Sequence, residues 1–156
     1  MQAPNKIETP YFDRINPQYC INAKLRRLHR MLNAAYESKF KPFGLQGSMV
    51  SILFIIGKRR NVNQKAIANM LVLDQSTMSR DLKKLVEKGW VQVTKAKDPR
   101  HSELSLTREG YELLETIAPI WEKLHTTVEG ILGKYNIQQL DLITEAIKSN
   151  LDDIKE

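Results

Sequence analysis

Between Asp74 and Gly110 the spacing of apolar residues changes from a helical period to a strand period. That change limits the fold more than any other feature of the chain. Within D-Q-S-T-M-S-R-D-L-K-K-L-V-E-K-G-W, residues Met78, Leu82, Leu85 and Val86 recur at helical spacing. The pattern predicts a helix over about Gln75 to Lys88, with Asp74 as its N-cap and Gly89 as its C-terminal cap. Gln75, Ser76, Ser79, Arg80 and Lys83 fall off the apolar stripe and leave a polar, basic face. Trp90 to Lys95 then alternates, Lys95 to Arg100 (K-A-K-D-P-R) is a basic turn, and Ser102 to Thr107 alternates again with Leu104 and Leu106 inward. Two alternating runs around a turn predict a β-hairpin.

The flanking sequence reads as helices. Residues 1–17 hold Pro4, Pro10 and Pro17 with little periodicity and read as an arm. From about Pro17, Ile21, Leu25, Leu28, Leu32 and Ala35 form one stripe, and the helix should fade by Lys41-Pro42 because a residue before proline resists helical geometry. Gln46 to Lys58 is apolar nearly all round, as expected of a central helix covered on several sides. Asn63 can cap a short helix over about Gln64 to Leu71, with Ala66, Ile67, Met70 and Leu71 on its inner face. After Thr107 a long stripe runs through Leu114, Ala118, Trp121, His125, Val128 and Leu132. Pro119 should kink this helix rather than end it, and Gly133 to Asn136 should break it. A last helix is expected over about Ile137 to Ile154.

Charge is divided along the chain. Residues 1–44 carry eight Lys/Arg against three Asp/Glu, residues 45–108 twelve against five, and residues 109–156 four against ten. A basic middle and an acidic tail imply a polyanion-binding face with a separate body turned away from it. No apolar run approaches the ~18 residues of a membrane span, and the N-terminus lacks the apolar core of a signal peptide, so a cytoplasmic protein without membrane contact is expected. Cys20 is the only cysteine, which excludes an intrachain disulfide. His29, His101 and His125 are scattered, without metal-ligand spacing. With no Gly-rich phosphate loop or nucleophile motif either, the expectation is no enzyme, no metal and no cofactor.

The order helix, helix, helix-turn-helix, hairpin, two helices is that of a winged helix. The expected class is mainly α with a small β-wing: a winged helix-turn-helix domain flanked by N- and C-terminal dimerisation helices. At this point the residues become specific. The chain resembles the MarR family of bacterial transcription regulators over roughly residues 18–153. The family's wing pattern, D-x-R-x-x-x-L-x-L-T-x-x-G, is matched at Asp98, Arg100, Leu104, Leu106, Thr107 and Gly110, and L-D-Q-S-T-M-S-R-D-L looks like its recognition helix. Two departures stand out: Val72 occupies a turn position where the family often has a small residue, and the basic turn has only Lys95, Ala96 and Lys97 before Asp98.

The resemblance implies a homodimer on double-stranded DNA at a palindromic operator, most often as a repressor. Gln75, Ser76, Thr77, Ser79 and Arg80 would meet base edges and phosphates in the major groove, where Arg80 could contact guanine through two bonds. Lys83, Lys84, Lys95, Lys97 and His101 would hold phosphates. Arg100 at the wing tip would probe the minor groove, oriented by Asp98. Thr107 would cap the next helix. The division expected is an arm over 1–17, dimerisation helices over 18–44 and 109–156, and a DNA-binding domain over 45–108. A small aromatic or other effector could sit between the two parts, lined by His29, Tyr36, Met49, Leu53, Trp121 and His125, all of which read equally as packing residues. The alternative is a thiol redox switch at Cys20, with Tyr19 adjacent and Tyr36 on the same helix. A winged helix used only for protein contacts fits the basic recognition face less well.

Overall fold

The computed structural model describes residues 8–59, 62–95 and 102–155. The helices are α1 (Ile21–Phe40), α2 (Met49–Lys58), α3 (Gln64–Leu71), α4 (Gln75–Glu87), α5 (Arg108–Ser149) and α6 (Leu151–Lys155), with strands β1 (Val91–Lys95) and β2 (Ser102–Leu106) between α4 and α5. The least polar helix lies at the centre. α2 buries Met49, Ile52, Leu53 and Ile56, and Val50, Phe54 and Ile55 pack on the same core from half-covered positions. A helix apolar nearly all round is stable only where neighbours close over it. Here α3, α4, α5 and β2 all pack against it.

The helix-turn-helix is held by side-chain caps. Asn63 Oδ1 accepts the Ala66 N–H at 2.8 Å and starts α3, and Asp74 Oδ1 accepts the Thr77 N–H at 2.8 Å and starts α4. Each occupies one of the amide donors that a helix start leaves free. The turn between them passes through Val72 at φ 52°, ψ 42°, a left-handed conformation costly for a β-branched residue. This is why a residue without a branched side chain suits the position better. Gly89, at φ 73°, closes α4: its N–H donates to the Val86 carbonyl and the Trp90 N–H to the Leu85 carbonyl.

The two strands pair antiparallel, with Val91 opposite Leu106 and Val93 opposite Leu104. Val62 adds an isolated bridge, its carbonyl accepting the Leu104 N–H at 2.8 Å. Val91, Leu104 and Leu106 face the core, whereas Val93 is exposed.

Several expected boundaries shift. The first helix starts at Ile21 because Pro17–Tyr19 forms its own 3-10 turn, capped by the Asn16 side chain on the Gln18 N–H. It ends at Phe40, just ahead of Lys41-Pro42. The long helix runs through Pro119 with helical backbone angles, and its one non-helical residue is Gly133, at φ 74°, ψ 155°. The expected four-residue break is thus a single-residue hinge. Within α3, Ala68 is buried while Met70 is exposed; in α4, Val86 points outward. No helix among the described residues is long and apolar enough to cross a membrane.

Candidate nucleic-acid interface

α4 is fixed by one face and free on the other. Met78, Leu82 and Leu85 lie in the core, while Gln75, Ser76, Ser79, Arg80 and Lys83 are exposed along the opposite side. Thr77 is half-buried. An amphipathic helix held in this way presents its polar row as a rigid unit.

The hydroxyls in that row already have partners. Ser76 Oγ donates to Asp74 Oδ1 at 2.5 Å, and this bond, followed by the Thr77 amide, holds the Asp74 carboxyl well below the usual carboxylate range. A phosphate accepts but does not donate, so Ser76 must turn from Asp74 before it can serve one. Ser79 differs. Its oxygen accepts the Gln64 Nε2 donor at 2.7 Å, which leaves its proton free for an acceptor outside the protein. Gln64 was not singled out by sequence pattern; it sits on α3, where it faces α4.

Arg80 and Lys83 carry the positive charge of the row. Arg80 Nε lies 3.6 Å from Asp81 Oδ1, and Lys83 Nζ lies 3.7 Å from Glu87 Oε1. The second pair is open to solvent on both sides and holds Lys83 only weakly. Asp81 is 5% exposed, the one buried charged side chain among the described residues. Ser48 Oγ donates to its other oxygen at 2.6 Å. Its position has a sequence signal that the pattern reading passed over: Asp81 lies three residues after Met78 and four before Leu85, on the apolar stripe itself.

The wing is anchored at its base. Thr107 Oγ1 donates to the Gly89 carbonyl at 2.6 Å and accepts the Gly110 N–H at 3.0 Å, while the Thr107 N–H donates to the Trp90 carbonyl at 3.1 Å. Gly110 packs so close to the Trp90 carbonyl oxygen that a Cβ would overlap it. Leu104, Leu106, Thr107 and Gly110 of the wing pattern are therefore core, core, cap and close-contact residues. The Lys95 side chain, Lys97, Asp98, Arg100 and His101 lie outside the described residues.

Between α1, α2 and α5 is a cavity of about 300 Å³, in the size range of small-molecule sites. Of the six residues expected around an effector, His29, Tyr36 and Trp121 line it, beside Leu32, Phe40 and Val50. Met49 and Leu53 do not, because both are fully buried on the core face of α2. His125 is also displaced: it stacks on Trp121 at 4.6 Å, and Trp121 in turn meets Phe54 edge-on at 5.6 Å. An open crevice of about 590 Å³ borders the same α1 residues, His29, Asn33 and Glu37, and reaches Thr77, Arg80 and Lys84 on α4. Lys84, half-buried, stands at this crevice beside the exposed Arg80.

Cys20 is exposed at the start of α1. Tyr36 lies sixteen residues along that helix, roughly 24 Å away at 1.5 Å per residue. It is too far to bond a thiol, so the geometry lends the redox reading no support.

Residues 48–101 match the family model described as MarR family. The chain is 32% identical over 88 residues to an uncharacterized HTH-type transcriptional regulator, YwoH, of Bacillus subtilis, over 56% of this chain and 64% of that protein. It is 33% identical over 86 residues to the HTH-type transcriptional regulator SarZ of Staphylococcus saprophyticus, over 54% of this chain and 59% of that protein. The chain thus spans less than two thirds of the length of either relative. Its fold is similar to that of S. aureus MepR in a crystal structure with DNA, with a TM-score of 0.75 at 17% identity over 87% of this chain and 99% of that one.

Proposed function

We propose that the chain is a member of the MarR family, whose model its residues 48–101 match, and that it is a DNA-binding transcription regulator acting as a homodimer. The observation that carries this reading is α4: one face locked into the core, and an exposed row of Ser76, Ser79, Arg80 and Lys83 on the other. Short polar side chains and an arginine on the outward face of the second helix of a helix-turn-helix suit the major groove. Arg80 reads guanine, Lys83 takes a phosphate, and Lys95, Lys97 and His101 hold further phosphates while Arg100, oriented by Asp98, enters the minor groove. The wing roles rest on the motif match. The DNA complex of MepR and the names of the relatives support the same reading.

Dimerisation draws support from apolar surface left uncovered in one chain. Ile21, Leu25, Leu28 and Met31 on α1 are exposed, as are Leu142, Ile143 and Ile147 near the end of α5 and Leu151 and Ile154 on α6. Apolar stripes of this extent mark association surfaces. In this reading residues 18–44 and 109–156 form the dimer, 45–108 bind DNA, and two copies meet half-sites of a palindrome ~34–36 Å apart. The protein works in the cytoplasm as a repressor, and a small aromatic effector in the cavity beside His29, Tyr36 and Trp121 shifts the helices that set this spacing.

The test is binding of the full chain to duplex DNA from the region flanking its own gene, measured by fluorescence anisotropy at 50 and 200 mM salt. Six to ten phosphate contacts predict a loss of about 10³–10⁵ in affinity over that range. Binding absent at low salt would sink the reading, and salt-independent binding would rule out the basic face as its source.

A further inference from the structure

We propose that Asp81 is the positioning residue for Arg80, and that the buried pair Ser48–Asp81 sets the direction from which the recognition helix reads a base. This rests on the reading of α4 as a DNA-contacting helix. A carboxylate on the apolar stripe of α4 is costly to bury unless its oxygens are engaged. Here one oxygen accepts a hydrogen bond and the other faces a cation. Ser48 Oγ donates to Oδ2 at 2.6 Å, and Arg80 Nε lies 3.6 Å from Oδ1. No buried side-chain oxygen or nitrogen among the described residues lacks a partner.

Ser48 occupies the N-cap position of α2, yet its hydroxyl makes no capping bond there. Capping is the ordinary use of a serine at this place. Its hydroxyl goes instead to a residue thirty-three positions later, on the helix offered to DNA. Gly47, at φ 58°, brings the start of α2 against the same carboxylate, so that a Cβ there would lie 3.5 Å from Oδ2. The partial positive charge of a helix start favours a carboxylate beside it. Asp81 is thereby fixed to the start of the core helix, and its charge draws the Arg80 guanidinium toward it. Arg80 has no second ion-pair partner among the described residues, its side chain is 63% exposed, and an unrestrained arginine loses rotamer entropy on binding. With Nε turned toward Asp81 as an ion pair at 3.6 Å, the guanidinium keeps both terminal nitrogens available, the pair that a two-bond contact with guanine O6 and N7 requires. Asp81 itself touches no DNA.

The test is a double-mutant cycle on DNA selected by the protein. The full chain enriches duplexes from a library with a randomised centre, and each base pair of the enriched duplex is then replaced in turn, with affinities read by anisotropy. Arg80→Ala should flatten the preference at one base pair of each half-site. Asp81→Asn, which keeps the size and a hydrogen-bonding oxygen but not the charge, should lower the preference at that same base pair about three- to tenfold. It should leave the other positions and the salt slope unchanged, and add nothing in the Arg80→Ala background. Equal losses at every base pair, or the same loss with and without Arg80, would overturn the proposal and leave Asp81 a purely structural residue. If Asp81→Asn lowers the folded fraction in a thermal melt, Ser48→Ala decides. It retains the charge but frees the carboxylate, and must reduce the same preference; an unchanged preference overturns the proposal. Enrichment of no duplex at all would overturn the DNA reading, and this proposal with it.

Discussion

A methyl group at position 110 would fall against the Trp90 carbonyl, which the Thr107 amide already uses. Backbone cannot yield as a flexible side chain can. Gly110→Ala should therefore lower stability by about 3 kcal/mol, read from urea unfolding. A loss below 1 kcal/mol would mean that the base of the wing is looser than described. Asp74 offers a different handle, because its effect depends on pH. Its carboxyl is held below the usual range by the Ser76 hydroxyl and then the Thr77 amide. A folded-state pKa below the unfolded one contributes stability that is full above the unfolded value and lost as pH falls toward the folded one. The melting temperature of the chain should thus exceed that of Asp74→Ala by a constant amount above about pH 5, and the gap should narrow below about pH 4. A gap that stays constant down to pH 2 would show that the charge of Asp74 is not what starts α4.

Gly133 is the comparable point at the scale of elements. Its φ of 74° with ψ of 155° lies in a region open essentially to glycine alone. Gly133→Ala must either bear ~1–3 kcal/mol of strain or run the two halves of α5 into one straight helix. Straightening relieves the strain and should prevail; it moves the apolar residues beyond position 133, so dimer affinity should fall about tenfold or more in sedimentation experiments, while the winged helix melts as before. Much of this was legible beforehand. The change of period after Lys88, the caps at Asn63, Asp74 and Thr107, and the inward pair Leu104 and Leu106 all depend on neighbours close in sequence. What escaped depends on contacts far apart in the chain. Asp81 stands on the apolar stripe in sequence, but its partner Ser48, at the start of another helix, is thirty-three residues away. Met49 and Leu53 were assigned to a pocket because an apolar helix does not reveal which of its faces meets a void. Pro119 is expected to kink α5, but within a helix held by its neighbours proline costs one donor and the backbone stays helical there, whereas Gly133, in the stretch expected to break the helix, alone takes non-helical angles.

Across the whole molecule, charge and apolarity are separated. The excess of Lys and Arg lies over residues 45–108 and the excess of Asp and Glu over 109–156, while the exposed apolar side chains gather on α1, the far part of α5, and α6. The proposed dimer would cover Ile143 and Ile147, which are exposed in the single chain. The double variant Ile143→Glu/Ile147→Glu should shift the chain from dimer to monomer in size exclusion with light scattering, with helix content unchanged because both residues are exposed in the single chain. It should also lose operator affinity at least 100-fold, since two linked half-sites become independent encounters. A variant that stays dimeric would move the interface elsewhere.

The knot formed by Gly89, Trp90, Thr107 and Gly110 has a mechanical meaning. It fastens the root of the hairpin to the first turn of α5 through three hydrogen bonds and one backbone contact. From that root α5 extends 25 residues to Gly133, roughly 37 Å. It is a lever with its fulcrum under the wing. A tilt of about 5° at the fulcrum carries the far end of such a rod through roughly 3 Å. Torque applied at the distal end reaches the hairpin along α5 itself, past Ile117 where the helix is seated in the core.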